Sequence, residues 1–262
     1  MNFELKDKVA IIGGSSKGLG KACAISLAKE GVKIVLCTND QESLEITKKE
    51  IQELGVSVLG LLVDMSSKED NEKIINEALN AFNRIDILVN NSGGPKPGKF
   101  GDLSERDWDE AYNAVLKYNI RMIEGCLPEM KQNKWGRIIN ITSLAVKEPA
   151  PTLVLSNVFR AGVVSLAKSL SKELISDGIT INNICPGAFK TDRAVELMQK
   201  RAEASGVSIE EVEKQAVAAL PQGRYQKPDE LGDLVCFLAS NRAAAITGTT
   251  IQIDGGISNS LL

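Results

Sequence analysis

The chain contains no histidine, and this absence removes several classes of enzyme at once. Ser-His-Asp and Cys-His hydrolases, histidine-ligated zinc sites and imidazole general bases all need that side chain. Five cysteines are present, but none forms a Cys-x-x-Cys pair. We therefore expect reduced, buried packing cysteines and no metal site. Any chemistry must be carried by other side chains or by a bound cofactor.

Long hydrophobic runs and an excess of charge of one sign are also absent. The apolar runs fall far short of the ~20 residues that cross a bilayer, and the amino terminus has no apolar signal region. A formal net charge of −3 gives no electrostatic attraction to nucleic acid or an anionic membrane. We expect a cytoplasmic protein that acts on a small molecule, with neither nucleic acid nor membrane as a partner.

What the chain does contain is a regular alternation of short apolar segments and longer amphipathic ones. The predicted strands cover 8–12, 33–38, 57–63, 86–90, 136–142, 179–185 and 250–253. The predicted helices lie near 18–30, 41–54, 67–83, 104–132, 153–176, 194–220 and 228–240. The strands are almost continuously apolar, which is typical of a parallel sheet covered on both faces. The pattern predicts one doubly wound α/β domain over residues 1–262, with a mostly seven-stranded parallel sheet.

A glycine motif, Gly14-x-x-x-Gly18-x-Gly20, follows the first predicted strand and opens the first predicted helix. Gly14 permits a tight turn, Gly18 permits close approach of the backbone to a pyrophosphate, and Gly20 permits close helix–sheet packing. The amide groups at the start of the helix then face the phosphates. The motif in this position indicates a dinucleotide cofactor.

Several further segments occur in an order that resembles the short-chain dehydrogenase/reductase family along essentially the whole chain. They are Val63-Asp64, Asn90-Asn91-Ser92-Gly93, Ile141-Thr142-Ser143, Asn182-Asn183-Ile184-Cys185-Pro186-Gly187 and Asp254-Gly255-Gly256. The resemblance implies a Rossmann-type fold and a nicotinamide cofactor. Within the family, the chain is most similar to a divergent branch related to 3-oxoacyl-acyl-carrier-protein reductases.

The resemblance and the glycine motif together predict the cofactor site. The predicted cofactor-binding residues are Gly14, Ser16, Lys17, Gly18, Leu19, Gly20, Thr38, Asn39, Asp64, Met65, Asn91, Ser92, Gly93, Arg160, Pro186, Gly187 and Thr191. The resemblance implies that Asp64 lies by the adenine, and that Pro186, Gly187 and Thr191 lie along the nicotinamide.

The preferred cofactor is predicted to be NADP(H), with NAD(H) possible. NAD-specific relatives carry an acid at the end of the second strand, and that position falls on Thr38 in this chain. Lys17 is placed to pair with a 2′-phosphate. Asp40 is the counter-evidence, because a slip of one or two residues in the alignment places its carboxylate by the ribose.

The family's catalytic tetrad is reproduced at one position only. The resemblance places Ser143 at the family's serine, but it puts Val115 where an asparagine is usual. Ser156 and Arg160 stand at the positions of the catalytic tyrosine and lysine. Ser156 is a poor proton donor, because an aliphatic alcohol has a much higher pKa than a phenol. Arg160 stays charged and offers a rigid fork of donors for ribose hydroxyls or an anionic substrate.

Other groups are therefore candidates for the missing proton donor. Lys147 and Glu148 follow Ser143 within one loop, and we include Lys147 with Ser143, Ser156 and Arg160 in the predicted catalytic set. Tyr118 and Tyr225 are weaker candidates. Alternatively, an activated carbonyl or a protonated imine needs little acid catalysis.

The resemblance also predicts a substrate lid and an assembly. The lid covers about 191–221 as a helical hairpin that breaks at Ser205-Gly206. The glycine- and proline-rich loop 93–101 is either a surface turn or a second wall of the substrate site. A homotetramer is expected, with a dimer second.

Two functions follow from these features. The first is an NADP-dependent oxidoreductase that transfers hydride between the nicotinamide and an unidentified carbonyl or imine. The alternative is a non-catalytic dinucleotide-binding protein with a sensing or scaffolding role. This alternative is considered because three of the four catalytic positions carry other residues.

Overall fold

The strands of the protein form a single parallel sheet in the computed structural model, which describes residues 2–261. They are β1 (Val9–Gly13), β2 (Lys33–Thr38), β3 (Val58–Leu62), β4 (Ile87–Asn90), β5 (Gly136–Ile141), β6 (Ile179–Pro186) and β7 (Thr250–Ile253). Their order is β3-β2-β1-β4-β5-β6-β7, and every neighbouring pair is parallel. The predicted single doubly wound domain with a seven-stranded sheet is confirmed.

Helices cover both faces of this sheet. The α-helices within residues 2–261 are α1 (Gly18–Lys29), α2 (Gln41–Glu53), α3 (Lys68–Phe82), α4 (Glu105–Ala111), α5 (Tyr118–Gln132), α6 (Val154–Leu174), α7 (Asp192–Ser205), α8 (Ile209–Ala218) and α9 (Pro228–Ala239). In β1, Ala10 and Ile12 pack in one core with α1, α2 and α9, whereas Val9 and Ile11 pack in a second core with α3, α5 and α6. Both faces of each central strand are therefore buried, which explains why the strands are continuously apolar.

Three helices begin directly after a serine residue that caps them. The side chains of Ser67, Ser104 and Ser208 accept hydrogen bonds from the third residue of the helices that follow them. The long segment 191–221 divides where Gly206 adopts a positive φ of 69°. The predicted break at Ser205-Gly206 is confirmed, because a left-handed residue ends α7 and lets the chain turn into α8.

The predicted helix near 104–132 is confirmed as one continuous helical stretch, but its middle is π-helical. A π-helical segment, Tyr112–Lys117, joins α4 to α5. Asn119 donates a side-chain hydrogen bond of 2.7 Å to the carbonyl oxygen of Val115 within this segment. Apolar periodicity shows which face of a helix is buried, but it does not show a local change of hydrogen-bond register.

The sheet topology fixes where a ligand site can form. β2 and β3 lie on one side of β1 in the sheet, whereas β4, β5, β6 and β7 lie on the other side. The loops that leave the carboxyl ends of β1 and β4 therefore diverge and leave a crevice between them. Among residues 2–261, no helix is long and apolar enough to cross a membrane.

Candidate active site

A cleft of about 1000 Å³ opens at the carboxyl ends of the strands, above the point where the strand order reverses. Its walls come from the loops after β1 to β6, from α4 and α6, and from the first turn of α7. The predicted site residues on its wall are Gly14, Ser16, Lys17, Gly18, Leu19, Thr38, Asn39, Asp64, Met65, Asn91, Ser92, Gly93, Ser143, Ser156, Arg160, Pro186 and Thr191. Residues far apart in the sequence thus meet around one elongated space.

The glycine loop between β1 and α1 is packed so tightly that two of its positions admit no side chain. Gly14 has a φ of +53°, and a Cβ on Gly20 would overlap the carbonyl oxygen of Gly14. Asn91, after β4, donates side-chain hydrogen bonds to the carbonyl oxygens of Gly13 (3.1 Å) and Gly14 (3.3 Å). The loop is therefore held against β4, and the amides that open α1 face the cleft.

An acidic side chain already contacts this loop. The Gly18 amide donates a hydrogen bond of 3.3 Å to a carboxylate oxygen of Asp192, in the first turn of α7. A carboxylate in this position shows that the loop accepts negative charge, as the start of a helix does in general. The residues present therefore fit the pyrophosphate of a dinucleotide.

At the end of β2, Lys17 and Asp40 form an ion pair. Lys17 Nζ lies 2.8 Å from Asp40 Oδ2, and Asp40 also caps α2 by accepting from the Ser43 amide. The hydrogen bond from Lys17 is the main reason that the pKa of Asp40 falls to about 2. Thr38 is turned inward, where its hydroxyl bonds to Ser16 Oγ at 2.8 Å. Lys17, which is predicted to favour NADP, and Asp40, which argues against NADP, therefore lie side by side.

Three asparagines tie the central strands together just below the cleft. Asn90 Nδ2 donates to Asn140 Oδ1 at 3.0 Å, and Asn140 Nδ2 donates to Asn183 Oδ1 at 2.9 Å. All three side chains are buried. Because each amide bonds to the next strand, this ladder fixes the relative height of β4, β5 and β6 where their loops reach the cleft.

Ser143, Ser156 and Arg160 meet at the carboxyl end of β5. Ser143 is the second residue after the strand, and its Oγ accepts a hydrogen bond of 3.1 Å from the Ala145 amide. Arg160 Nη1 donates to the carbonyl oxygens of Ile141 (2.8 Å) and Thr142 (3.1 Å). Ser156 lies one helical turn before Arg160 on α6, and both side chains line the cleft. The three predicted residues are thus brought together.

Arg160 is a buried cation. Its exposed fraction is 8%, and burial lowers the pKa of its guanidinium to about 10. Nearby Arg193, on the lid side of the cleft, lowers that pKa further. Within residues 2–261, no carboxylate lies within 4.0 Å of the Arg160 guanidinium.

The other candidates for a proton donor are not on the cleft wall. Lys147 reaches towards Gln252 Oε1 on β7, at 3.5 Å, and Glu148 accepts from the Asn259 amide at 2.6 Å. Tyr118 is fully buried in the core, and Tyr225 packs against the lid helices. Lys147, a member of the predicted catalytic set, therefore lies outside the cleft.

Two predicted glycines also lie off the wall, and they contribute through close packing. Gly20 holds α1 against the glycine loop, as described above. A Cβ on Gly187 would lie 2.5 Å from Asp254 Cα. Gly187 therefore lets the loop after β6 approach the loop after β7.

Sequence reasoning missed several polar side chains on the cleft wall. They are Lys96, Asp107, Glu110, Asp192 and Glu196. Lys96 and Asp107 form an ion pair of 2.9 Å that links the loop after β4 to α4. In the sequence they are ordinary charged residues on a loop and on a helix surface, with no spacing that marks them.

Comparison with known proteins agrees with this geometry. Residues 14–258 match a family model described as enoyl-(acyl carrier protein) reductase. The chain is 31% identical over 258 residues to the 3-oxoacyl-[acyl-carrier-protein] reductase FabG of Aquifex aeolicus, covering 98% of this chain and 100% of that protein. It is 32% identical over 253 residues to dehydrogenase/reductase SDR family member 4 of Oryctolagus cuniculus, covering 96% and 94%.

A solved structure is similar over the entire chain. The L-sorbose reductase from Gluconobacter frateurii, complexed with NADPH and L-sorbose, superposes with a TM-score of 0.96 at 28% identity, covering 100% of each chain. The protein therefore belongs to the short-chain dehydrogenase/reductase family of oxidoreductases.

Proposed function

We propose that the protein is an NADP-dependent oxidoreductase that transfers hydride between the nicotinamide and a carbonyl or imine substrate. The observation that carries the proposal is the single continuous cleft that joins the glycine loop to Ser143 and Arg160. A dinucleotide that lies on the glycine loop extends along this cleft towards the end of β5. The NADPH-bound L-sorbose reductase supports the choice of cofactor.

The cofactor supplies the hydride, and the residues of this chain bind and orient both reactants. The glycine loop and the start of α1 hold the pyrophosphate, while Lys17 holds the 2′-phosphate. Asp64, Met65, Pro186 and Thr191 lie on the cleft wall; in this proposal the first two contact the adenine and the last two contact the nicotinamide. Asn91, Ser92 and Gly93 form the floor between them, after β4.

Ser143 and Arg160 are proposed to act on the substrate, because both face the cleft at the end of β5. The Ser143 hydroxyl can donate a hydrogen bond to a substrate oxygen, and the Arg160 charge stabilises negative charge that develops there. Ser156 and Arg160 stand where the family's tyrosine and lysine are expected. Ser156 adds a hydroxyl to the wall but is not the proton donor, so the proton comes from water.

The hairpin of α7 and α8, residues 191–221, is proposed to be the substrate lid. Met198, Ala202 and Val212 form its small buried core, while Leu197 and Val207 remain exposed. Only part of the apolar surface of this hairpin is therefore used for internal packing. The first turn of α7 contributes Thr191, Asp192 and Arg193 to the cleft wall, so movement of α7 would change access to the site.

A homotetramer is proposed as the assembly. Val158 on α6 and Tyr112 on the π-helical segment are exposed hydrophobic side chains, and the rings of Tyr112 and Trp108 both contact the ring of Phe159 on α6. An exposed apolar group of this kind suits burial against a second copy. Light scattering that gives the mass of four chains supports the assembly, and a monomer at micromolar concentration contradicts it.

The experiment that tests the function is NADPH oxidation across a panel of ketones, diketones, oxo acids and imines. Turnover of at least one class, with product identified by mass spectrometry, supports the oxidoreductase. Tight NADPH binding without turnover of any class favours the non-catalytic alternative.

The role of Ser156 is tested separately by single-turnover hydride transfer in the Ser156→Ala variant. We expect a smaller loss than the roughly 10²–10⁴-fold that accompanies removal of a true acid–base group. A thousand-fold loss with unchanged cofactor affinity would show that Ser156 is chemically essential.

A further inference from the structure

One edge of the Arg160 guanidinium is free to bind a ligand. Nη1 donates to the carbonyl oxygens of Ile141 and Thr142, which fixes the plane of the group. Within residues 2–261, neither Nε nor Nη2 of Arg160 has a hydrogen-bond acceptor. These two nitrogens form a planar pair of donors whose spacing matches the two oxygens of a carboxylate.

Within the described residues, no carboxylate forms an ion pair with this buried charge. The acidic side chains elsewhere on the cleft wall are exposed or partly exposed, and several already have partners. The pairs are Lys17 with Asp40, Lys96 with Asp107 and Arg106 with Glu110. A buried cation without an anion is costly, and a negatively charged ligand would remove that cost.

The anion that meets Arg160 is not the pyrophosphate. Arg160 is anchored at the end of β5, whereas the glycine loop follows β1, and β4 lies between these strands. Two strand spacings separate the anchors by about 10 Å across the sheet. The 2′-phosphate, near the end of β2, is one strand further away. A substrate held at the end of β5 is therefore the nearer source of negative charge.

A second guanidinium faces the same space. Arg193 lies on the cleft wall in the first turn of α7, and it has no carboxylate within 4.0 Å in the part of the chain that is described. It acts on Arg160 as a like charge. An anion between the two groups would turn this repulsion into attraction on both sides. A cationic substrate such as a protonated imine would meet repulsion instead.

We propose that the substrate is an oxo acid, whose carboxylate binds Nε and Nη2 of Arg160 while its carbonyl oxygen lies at Ser143. This inference rests on the proposed oxidoreductase function and narrows its substrate class. Arg160 bonds to the carbonyl of Thr142, the residue next to Ser143. The carboxylate and the reacting carbonyl are therefore close in the substrate, as in a 2- or 3-oxo acid.

The reaction is balanced with groups already named. A C–H bond forms at the carbonyl carbon as the hydride leaves the reduced nicotinamide, which is oxidised to NADP⁺. The carbonyl oxygen takes the electron pair of the C=O π bond, and a proton from water completes the hydroxy acid. Arg160 stays protonated throughout and stabilises the negative oxygen through its charge.

The test compares oxo acids of several sizes with their methyl esters and amides, which lack the negative charge of the carboxylate and are close to it in size. In the unmodified protein we expect kcat/KM to be about 10- to 100-fold higher for the acids, the range expected for a charge-assisted paired hydrogen bond. Arg160→Gln should remove this preference, and Arg160→Lys should restore part of it because it keeps the charge but loses the planar fork.

Arg137→Lys is the matched control. Arg137 is also buried and bonds to backbone carbonyls, those of Gly136 and Gly178, but it lies outside the cleft. This variant should keep the full preference for acids. If Arg160→Gln does not fold, the preference for acids is still tested by comparing acids with esters in the unmodified protein and in Arg160→Lys.

A binding measurement separates failure of this inference from failure of the proposed function. Calorimetry with oxamate, a carboxylate that is not reduced, should show binding that Arg160→Lys weakens and Arg137→Lys leaves unchanged. Turnover of esters as fast as acids would overturn the inference and leave the function standing. Absence of turnover for every carbonyl would overturn the function. In that case, lack of Arg160-dependent oxamate binding would overturn the inference as well.

Discussion

Replacing Lys17 with alanine should weaken NADPH binding and leave NADH binding almost unchanged. The ammonium group of Lys17 lies beside the end of β2, where the 2′-phosphate of NADPH would be held. A charge-assisted hydrogen bond corresponds to about 10- to 100-fold in affinity. Because the Lys17 side chain is half exposed, solvent screening places the expected loss near the lower end, at about 10-fold.

Asp40 makes this prediction sharper, because it competes with the 2′-phosphate for the same ammonium group. Asp40→Asn removes a negative charge from the position and should strengthen NADPH binding by a few-fold, with a smaller effect on NADH. Lys21→Ala is the matched control. Lys21 lies on α1 and pairs with Glu50 at 2.8 Å, away from the cleft. It should change neither affinity.

The assay is the increase in nicotinamide fluorescence on titration of each variant with NADPH and with NADH. Equal affinities for the two cofactors in the unmodified protein would refute the assignment of Lys17. Equal weakening of NADPH and NADH binding in Lys17→Ala would also refute the assignment, because that result indicates general damage to the loop.

Three further predictions concern packing and protonation. Gly20→Ala should lower the free energy of unfolding by about 1–3 kcal/mol or more and abolish dinucleotide binding, because the new Cβ overlaps the Gly14 carbonyl oxygen. Denaturant titration measures the first effect and NADPH titration the second, and normal NADPH binding by the variant would contradict the prediction. All five cysteines are buried, and burial raises the pKa of Cys236 to about 12, so a thiol reagent should label the native protein far more slowly than the unfolded chain; rapid native labelling would contradict this burial. The hydrogen bond from Lys96 lowers the pKa of Asp107 to about 2. The Asp107 carboxylate therefore contributes to stability above its unfolded pKa near 4, and this contribution is lost as the pH falls through 2. The difference in unfolding free energy between the unmodified protein and Asp107→Asn should shrink over that pH range, and a pH-independent difference would refute the pairing.

The parts of the structure that were predicted correctly depend on local sequence patterns. Continuous apolar runs identified the strands because both faces of the sheet are buried, as the division of β1 between two cores shows. Gly206 marked the end of α7 because a left-handed residue there favours glycine. The glycine motif predicted the loop after β1 because its steric demands fall on residues close together in the chain.

The parts that were missed depend on contacts between distant residues. The pairing of Lys17 with Asp40, and the contact of Asp192 with the Gly18 amide, join separate loops. No spacing in the sequence encodes these contacts. Lys147 is in the predicted catalytic set because it follows Ser143 closely, but after the short helical turn that follows Ser143 its side chain lies beside Gln252 on β7. The expected cytoplasmic location stays a prediction.

The most direct test of the central claim is transfer of deuterium from NADPH labelled at nicotinamide C4 to a carbonyl substrate. The unmodified protein is incubated with each C4-deuterated form of the cofactor and with a panel of oxo acids and neutral ketones, and the products are examined by mass spectrometry. The proposed function predicts one deuterium at the former carbonyl carbon, from only one of the two labelled forms. Saturating cofactor binding with no deuterium transferred to any member of the panel would contradict it.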